Sequence, residues 1–296
     1  MKKKTIFTGA GVAIVTPFKG GKIDYEALKR NIDFQIENGT DSIIICGTTG
    51  ECATLTDREH RECIEFTVAH VNHRVPVIAG TGSNDTSYAI ELSKHAASAG
   101  ADGLLLVTPY YNKATPLGLI KHFSAIADSV DIPSLIYNVP SRTGCNVPVS
   151  VFSVLSEHEN IVGVKEASGN ISQVAQIAEV CGEKLDIYSG NDDQIVPVLS
   201  LGGKGVISVL SNILPRQTHD ICRLWFEGDV KGSLDLQLKY LPLCNALFIE
   251  VNPVPVKTAM SWLGMCDEEF RLPMCGMDDA NSKKLRKVMT EFGVLH

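Results

Sequence analysis

Several familiar chemistries have no foothold in this 296-residue sequence. Its nine cysteines (46, 52, 63, 145, 181, 222, 244, 266 and 275) are odd in number, scattered, and contain no Cys-x-x-Cys pair. That spacing fits neither a disulfide framework nor a zinc site, and reads as reduced thiols in a cytoplasm. The eight histidines form no His-x-His or His-Glu-x-x-His pattern, so no metal site is expected. A Walker loop, a Gly-x-Ser-x-Gly elbow and a Gly-x-Gly-x-x-Gly after the first β-rich run are all missing, which argues against nucleotide-phosphate, serine-hydrolase and dinucleotide chemistry. No apolar run reaches about 18 residues, so no helix is expected to span a membrane. Basic residues do not interleave with aromatics, and Lys plus Arg (27) is outnumbered by Asp plus Glu (34), leaving a net charge of -7. Nucleic acid is therefore not an expected partner.

What is present is core. Hydrophobic residues make up 44% and charged residues 21%, enough to exclude wholesale disorder. Short, continuous, β-branched runs recur at Val12–Thr16, Ser42–Cys46, Val75–Ala79, Gly103–Val107, Pro133–Tyr137, Ile161–Val164, Leu185–Tyr188 and Gly205–Val209. Continuity without alternation is how strands buried on both faces read. Helical periodicity fills the gaps. Leu28, Ile32 and Ile36 follow a cap at Asp24 and stop at Gly39, and Thr56-Asp57-Arg58-Glu59 has the capping-box pattern. Eight strand–helix units in about 225 residues predict an α/β fold, a (β/α)8 barrel over residues 1–229. The doubly wound sheet is the runner-up. Beyond residue 229 the β-rich runs stop. Val230–Glu250, Val254–Leu263 and Asp278–Phe292 read as helices of a small C-terminal unit, 230–296, with Asn252-Pro253-Val254-Pro255 as a rigid turn. The opening Lys2-Lys3-Lys4 and the apolar stretch to Phe18 mimic a secretory leader, but Gly9, Gly11 and Pro17 interrupt it and cleavage would delete the first strand.

In a parallel barrel the chemistry gathers at the carboxyl ends of the strands. Strand 2 ends in Gly47-Thr48-Thr49-Gly50-Glu51, strand 4 in Thr108-Pro109-Tyr110-Tyr111, and strand 5 in Tyr137-Asn138-Val139-Pro140-Ser141-Arg142-Thr143-Gly144. Strand 6 runs into Gly163-Val164-Lys165-Glu166-Ala167-Ser168-Gly169, and strand 7 into Ser189-Gly190-Asn191-Asp192. Lys165 follows a buried-type run, and alternation sends Glu166 to the opposite face. Desolvation lowers an ammonium's pKa, and a neutral amine attacks ketones to form Schiff bases. Alone, the position leaves two readings open: that nucleophile, or a lysine that snorkels or pairs with another strand's carboxylate. Tyr137 on the neighbouring strand supplies the phenol that imine formation needs to shuttle a proton. Arg142 presents a fork suited to a carboxylate, although a loop arginine by itself is usually a solvated charge.

Taken together, these strand ends resemble the pyruvate-dependent, class I aldolase-like family that includes dihydrodipicolinate synthase and N-acetylneuraminate lyase. The motifs at strands 2, 5 and 6 occur in order, and the synthase branch is the more similar, through Thr48-Thr49, Arg142 and Asn252-Pro253-Val254-Pro255-Val256-Lys257. The resemblance implies an imine between Lys165 and pyruvate, with no cofactor. It implies a proton relay of Tyr137, Thr48 and Tyr111, the last reaching a neighbouring subunit's site in a dimer of dimers. Thr49 and the backbone near Ile207 hold the pyruvate carboxylate, Gly190 lines the site, and Arg142 takes the carboxylate of aspartate 4-semialdehyde. The implied product is 4-hydroxy-tetrahydrodipicolinate, towards diaminopimelate and lysine. An effector cleft would be lined by Cys52, Ala53, Asp57, His60, Asn84, Tyr88 and Tyr110. Where lysine-inhibited members carry a His and an acidic residue, this chain has Asp57 and Tyr88, so weak or absent feedback by lysine is expected. Two alternatives stand beside this: a sibling aldolase or lyase for a 2-keto-3-deoxy sugar acid, and a non-catalytic barrel that binds a keto acid or acts as a scaffold.

Overall fold

The computed structural model describes residues 3–295. Met1, Lys2 and His296 lie outside the described residues, so the leader-like opening is seen only from Lys3 onward. Eight parallel strands close into a barrel in chain order: β1 (Gly9–Ala13), β2 (Ser42–Ile45), β3 (Val77–Gly80), β4 (Gly103–Val107), β5 (Ser134–Asn138), β6 (Ile161–Glu166), β7 (Asp186–Ser189) and β8 (Gly205–Ser208), with β8 pairing back to β1. Helices follow each strand, from Tyr25–Glu37 after β1 to Pro215–Phe226 after β8. The predicted (β/α)8 fold is the one found. Asp24 Oδ1 accepts from the Ala27 amide at 3.0 Å, and the Thr56–Glu59 capping box is formed. Both caps satisfy amide donors that a helix start leaves open.

Alternation within the strands divides the apolar residues into two layers. Ala13, Ile44, Ile78, Leu105, Leu135, Tyr137, Tyr188 and Ile207 fill the barrel, while Val12, Ile43, Ile45, Leu104, Leu106, Ile136, Val164 and Ile187 pack under the helices. At the amino-terminal end Phe7 stacks on Tyr188 with ring centroids 4.5 Å apart, and the Tyr188 hydroxyl donates to the Phe7 carbonyl at 2.6 Å. The barrel is thus plugged below and open above.

Strand 1 lies three residues earlier than the run Val12–Thr16 predicted. Gly9 and Gly11 look like breakers in the sequence, but here they are packing residues. A Cβ on Gly11 would sit 2.6 Å from Ile44 Cδ1 and 2.9 Å from the Phe7 ring. Strand 6 extends past the predicted Val164 to Glu166, so Lys165 is held inside the sheet rather than on the following loop. The first C-terminal helix stops at Ala246, short of the predicted Glu250. The next two helices are Val254–Trp262 and Asp279–Glu291. Tyr240, Leu243, Leu247, Val256, Met260, Leu285 and Met289 share one apolar cluster with Val15, Val209, Leu210 and Leu214, from the loops above β1 and β8. The C-terminal helices are therefore packed on the mouth of the barrel. Among the described residues no helix is long and apolar enough to cross a membrane.

Candidate active site

Register places the central group. Lys165 pairs with Tyr137 of β5 on one side and with Tyr188 of β7 on the other, so the three side chains point to the same, inner face of the sheet. The Tyr188 hydroxyl is already spent on Phe7. Tyr137 is the phenol left for chemistry, and the Lys165 amine sits 4.4 Å from the centre of its ring. Lys165 is 5% exposed and Tyr137 6%. Burial pulls the Lys165 ammonium down to about 7; the negative charge of Asp192 opposes this, and the positive charge of Arg142 adds to it. Near neutral pH a large share of this amine is unprotonated and nucleophilic. Burial pushes the Tyr137 phenol up, against the Arg142 charge and a hydrogen bond with the Thr48 side chain. Glu166 does turn outward. Its carboxylate accepts from Asn138 Nδ2 at 2.9 Å and from the Ser168 amide at 2.7 Å, away from Lys165.

Around this pair the strand ends supply polar groups. Residues Thr48–Gly50 form a single 3-10 turn after β2, with Thr49 buried. Thr49 Oγ1 accepts from Asn252 Nδ2 at 3.0 Å, and the Asn252 carbonyl accepts from Arg142 Nη2 at 3.2 Å. Gly190 passes so close that a Cβ there would lie 3.2 Å from Lys165 Cε and 2.6 Å from Ala167 Cβ. Ile207 is fully buried on β8, in the same inner cluster as Tyr137. Between the strand ends of β6 and β7 and the Val230–Ala246 helix lies a cleft of about 300 Å³ lined by Ser141, Ala167, Gly169, Asn191, Asp192 and Phe248; Lys165 itself does not line it. Lys165, Tyr137, Thr48, Thr49, Arg142, Gly190 and Ile207 thus converge on one end of one barrel.

Tyr111 does not join them. Its ring is 91% exposed, on a backbone with φ of 72°. Of the residues named for an effector cleft, Asp57 and His60 lie on the helix Asp57–Val71, Tyr88 on the helix Thr86–Ser98, and Cys52, Ala53, Asn84 and Tyr110 on the segments that follow β2, β3 and β4. Asp57 accepts from Arg61 Nε at 2.9 Å and hydrogen-bonds with Tyr88, whose phenol burial and the Asp57 charge push up to about 12. His60 is buried, donates from Nε2 to the Gly80 carbonyl at 2.8 Å, and is held below its usual pKa by desolvation. Asn84 Nδ2 donates to the Tyr110 carbonyl at 3.2 Å, while Cys52 is half-buried and Ala53 exposed.

Four further residues, quoted in the sequence only inside motifs, have no role of their own there. Asp192, 3% exposed, accepts from the Val209 and Leu210 amides at 3.0 and 2.9 Å and supplies the negative charge nearest in effect to Lys165. Asn252 bridges Thr49 and Arg142. Lys257 and Glu51 form a fully buried ion pair at 2.6 Å. One signal was available: a single lysine in the apolar run Val254–Met260 needs a counter-charge, and Glu51 closes the strand-2 motif. Among the described residues no three His, Cys, Asp or Glu side chains converge as metal ligands would.

The chain is similar to known proteins over its whole length. The pattern of the dihydrodipicolinate synthetase family matches residues 6–292. A 4-hydroxy-tetrahydrodipicolinate synthase of Lachnoclostridium phytofermentans is 62% identical over 292 residues, 98% of this chain and 99% of that protein. The synthase of Clostridium tetani is 52% identical over the same share of each. The crystal structure of dihydrodipicolinate synthase from Aquifex aeolicus superposes with a TM-score of 0.96 at 47% identity, covering 97% of this chain and 99% of that one.

Proposed function

Because the chain belongs to the dihydrodipicolinate synthetase family, we propose that it joins pyruvate to aspartate 4-semialdehyde, with Lys165 as the imine-forming amine. The product is 4-hydroxy-tetrahydrodipicolinate, and the enzyme is a lyase of lysine and diaminopimelate biosynthesis. The observation that carries the assignment of Lys165 is its amine, buried beside the Tyr137 ring with no ion-pair partner among the described residues and depressed to about 7.

The chemistry follows from those groups. The Lys165 amine adds to C2 of pyruvate, and the carbinolamine loses water as Tyr137 hands a proton to the departing hydroxyl. The positively charged imine draws electrons from C3, which loses a proton and becomes an enamine. C3 then bonds to the aldehyde carbon of the second substrate, whose oxygen takes up a proton. The amine of that substrate attacks the imine carbon, closes the ring and expels Lys165. No external electron sink is needed, because the imine is one. Thr49 and the backbone near Ile207 hold the pyruvate carboxylate, Gly190 leaves room beside the amine, and Arg142 takes the carboxylate of the semialdehyde. Arg142 also favours this reading over a sugar-acid aldolase, since a polyol aldehyde offers a guanidinium no matching charge.

Tyr111 serves a second copy of the chain: its outward ring fits a homo-oligomer, which we read as a dimer of dimers, in which Thr48, Tyr137 and the partner's tyrosine pass protons. Residues 1–229 act as the catalytic barrel and 230–296 as a helical unit, which packs on the barrel mouth through the cluster above β1 and β8. Nine free thiols support a cytoplasmic location. Because Asp57 is engaged by Arg61 and Tyr88, lysine feedback is weak or absent. Product formation from pyruvate with aspartate 4-semialdehyde, set against sugar-derived aldehydes, tests the function. Turnover of the sugar-derived aldehydes alone would overturn it.

A further inference from the structure

We propose that the buried Glu51–Lys257 pair and Asn252 form a strap by which the C-terminal helices position the Thr48–Thr49 turn, and so set how tightly pyruvate is held. The proposal rests on the assignment of that turn to the pyruvate carboxylate. Glu51 sits one residue beyond the turn in the left-handed region, at φ 53°, a conformation that a non-glycine residue keeps only when its surroundings hold it. Both of its oxygens are held from the C-terminal segment. Oε1 accepts from Lys257 Nζ at 2.6 Å and Oε2 from the Arg271 amide at 3.3 Å. The Arg271 guanidinium donates to the Thr54 carbonyl at 3.0 Å, three residues on. Lys257 is enclosed, its amine 4.0 Å from the centre of the Phe18 ring and 5.3 Å from that of Phe270. An apolar pair of similar volume would pack as well; what the charged pair adds is a fixed geometry for one carboxylate and the turn before it.

Asn252 brings the same segment to the ligand. Its Nδ2 occupies a lone pair of Thr49 Oγ1, so the threonine proton is left to point at an incoming carboxylate. Its carbonyl simultaneously steadies Arg142. One residue therefore orients the groups assigned to both substrates without touching the reacting atoms. It is a positioning residue, and its chemistry predicts an order of effects that packing does not. Asn252→Asp keeps the shape but offers an acceptor that takes the Thr49 proton and repels pyruvate. Asn252→Ala only frees the hydroxyl.

The test is borohydride reduction of the full-length protein across a range of pyruvate concentrations, read by mass at Lys165. Half-saturating pyruvate should rise about three- to tenfold in Asn252→Ala, the effect of one lost buried hydrogen bond, and further in Asn252→Asp. The neutral double variant Glu51→Gln/Lys257→Met should shift in the same direction, and saturating pyruvate should restore labelling in all three. An unchanged midpoint in Asn252→Ala, or an Asn252→Asp no weaker than Asn252→Ala, overturns the proposal even if the double variant does not fold. Absence of labelling in the parent protein would instead overturn the functional reading.

Discussion

Two lysines are buried at the mouth of this barrel, and their neighbours assign them opposite work. Lys165, on β6, faces Tyr137 and has, among the described residues, no carboxylate within ion-pair distance; its positive form is penalised by burial. Lys257, on the Val254–Trp262 helix, is fully buried yet 2.6 Å from Glu51. Burial lowers its pKa as well, against the charge and hydrogen bond of Glu51, and that carboxylate ties the amine down between the Phe18 and Phe270 rings. Burial alone therefore does not make a nucleophile. Burial without a paired charge, beside a group that moves protons, does.

The comparison breaks most sharply under substitution. Lys165→Ala should lower kcat by more than about 10⁴-fold while the protein stays folded, as loss of a covalent nucleophile does. Lys257→Met alone should instead damage the fold, by about 3–5 kcal/mol, because it strands Glu51 as an uncompensated buried charge. Thermal unfolding beside steady-state rates separates the two, and the contrast fails if Lys257→Met unfolds like the parent. Next in size, Tyr137→Phe should cost about 10²–10⁴ in kcat, the worth of one general acid–base group. A Tyr137→Phe rate within tenfold of the parent would remove the phenol from the relay.

Smaller effects sharpen the picture. Arg142→Lys keeps the charge and loses the fork. It should raise KM for aspartate 4-semialdehyde more than KM for pyruvate, by about tenfold, and equal rises would detach Arg142 from the second substrate. The pH dependence of stability has a definite sign. An unfolded chain holds the Lys165 proton to about 10.5, the folded one only to about 7, so the folded state carries the full penalty below 7 and loses it as pH climbs towards 10.5. Lys165→Met should accordingly be more stable than the parent at pH 7, by about 1.4 kcal/mol for each pKa unit of depression, with the difference shrinking by pH 10. Denaturant melts at the two pH values check this; a difference that grows with pH contradicts it. Smallest is the effector response. Lysine should barely slow the enzyme, and micromolar inhibition in a steady-state assay would contradict that.

Much of this was legible in the chain itself. Continuous apolar runs mark strands covered on both faces, and strand alternation alone places Glu166 away from Lys165. The motifs at strands 2, 5 and 6 named the polar groups in local order, because each lies within a few residues of a strand end. What could not be read were contacts between distant segments. Asn252 meets Thr49 across 203 residues, and nothing local encodes that pairing; Lys257 meets Glu51 across 206, where the sequence shows that a lysine in an apolar run needs a counter-charge but not which carboxylate supplies it. The glycines of β1 misled for a related reason. Gly11 answers to Phe7 and Ile44 on the inside of the barrel, a steric demand that propensity does not register. Tyr188 matches Tyr137 in type and in register, and its stacking on Phe7 and its hydrogen bond to the Phe7 carbonyl show it to be a plug.

The claim beneath all of this is that one of two buried amines is chemically available. Reduction with borohydride in the presence of pyruvate, followed by peptide mass analysis, reads it directly. The expected result is a single reduced pyruvyl group on the peptide that carries Lys165, with the Lys257 peptide unmodified. An adduct on Lys257, or none on Lys165, would contradict it.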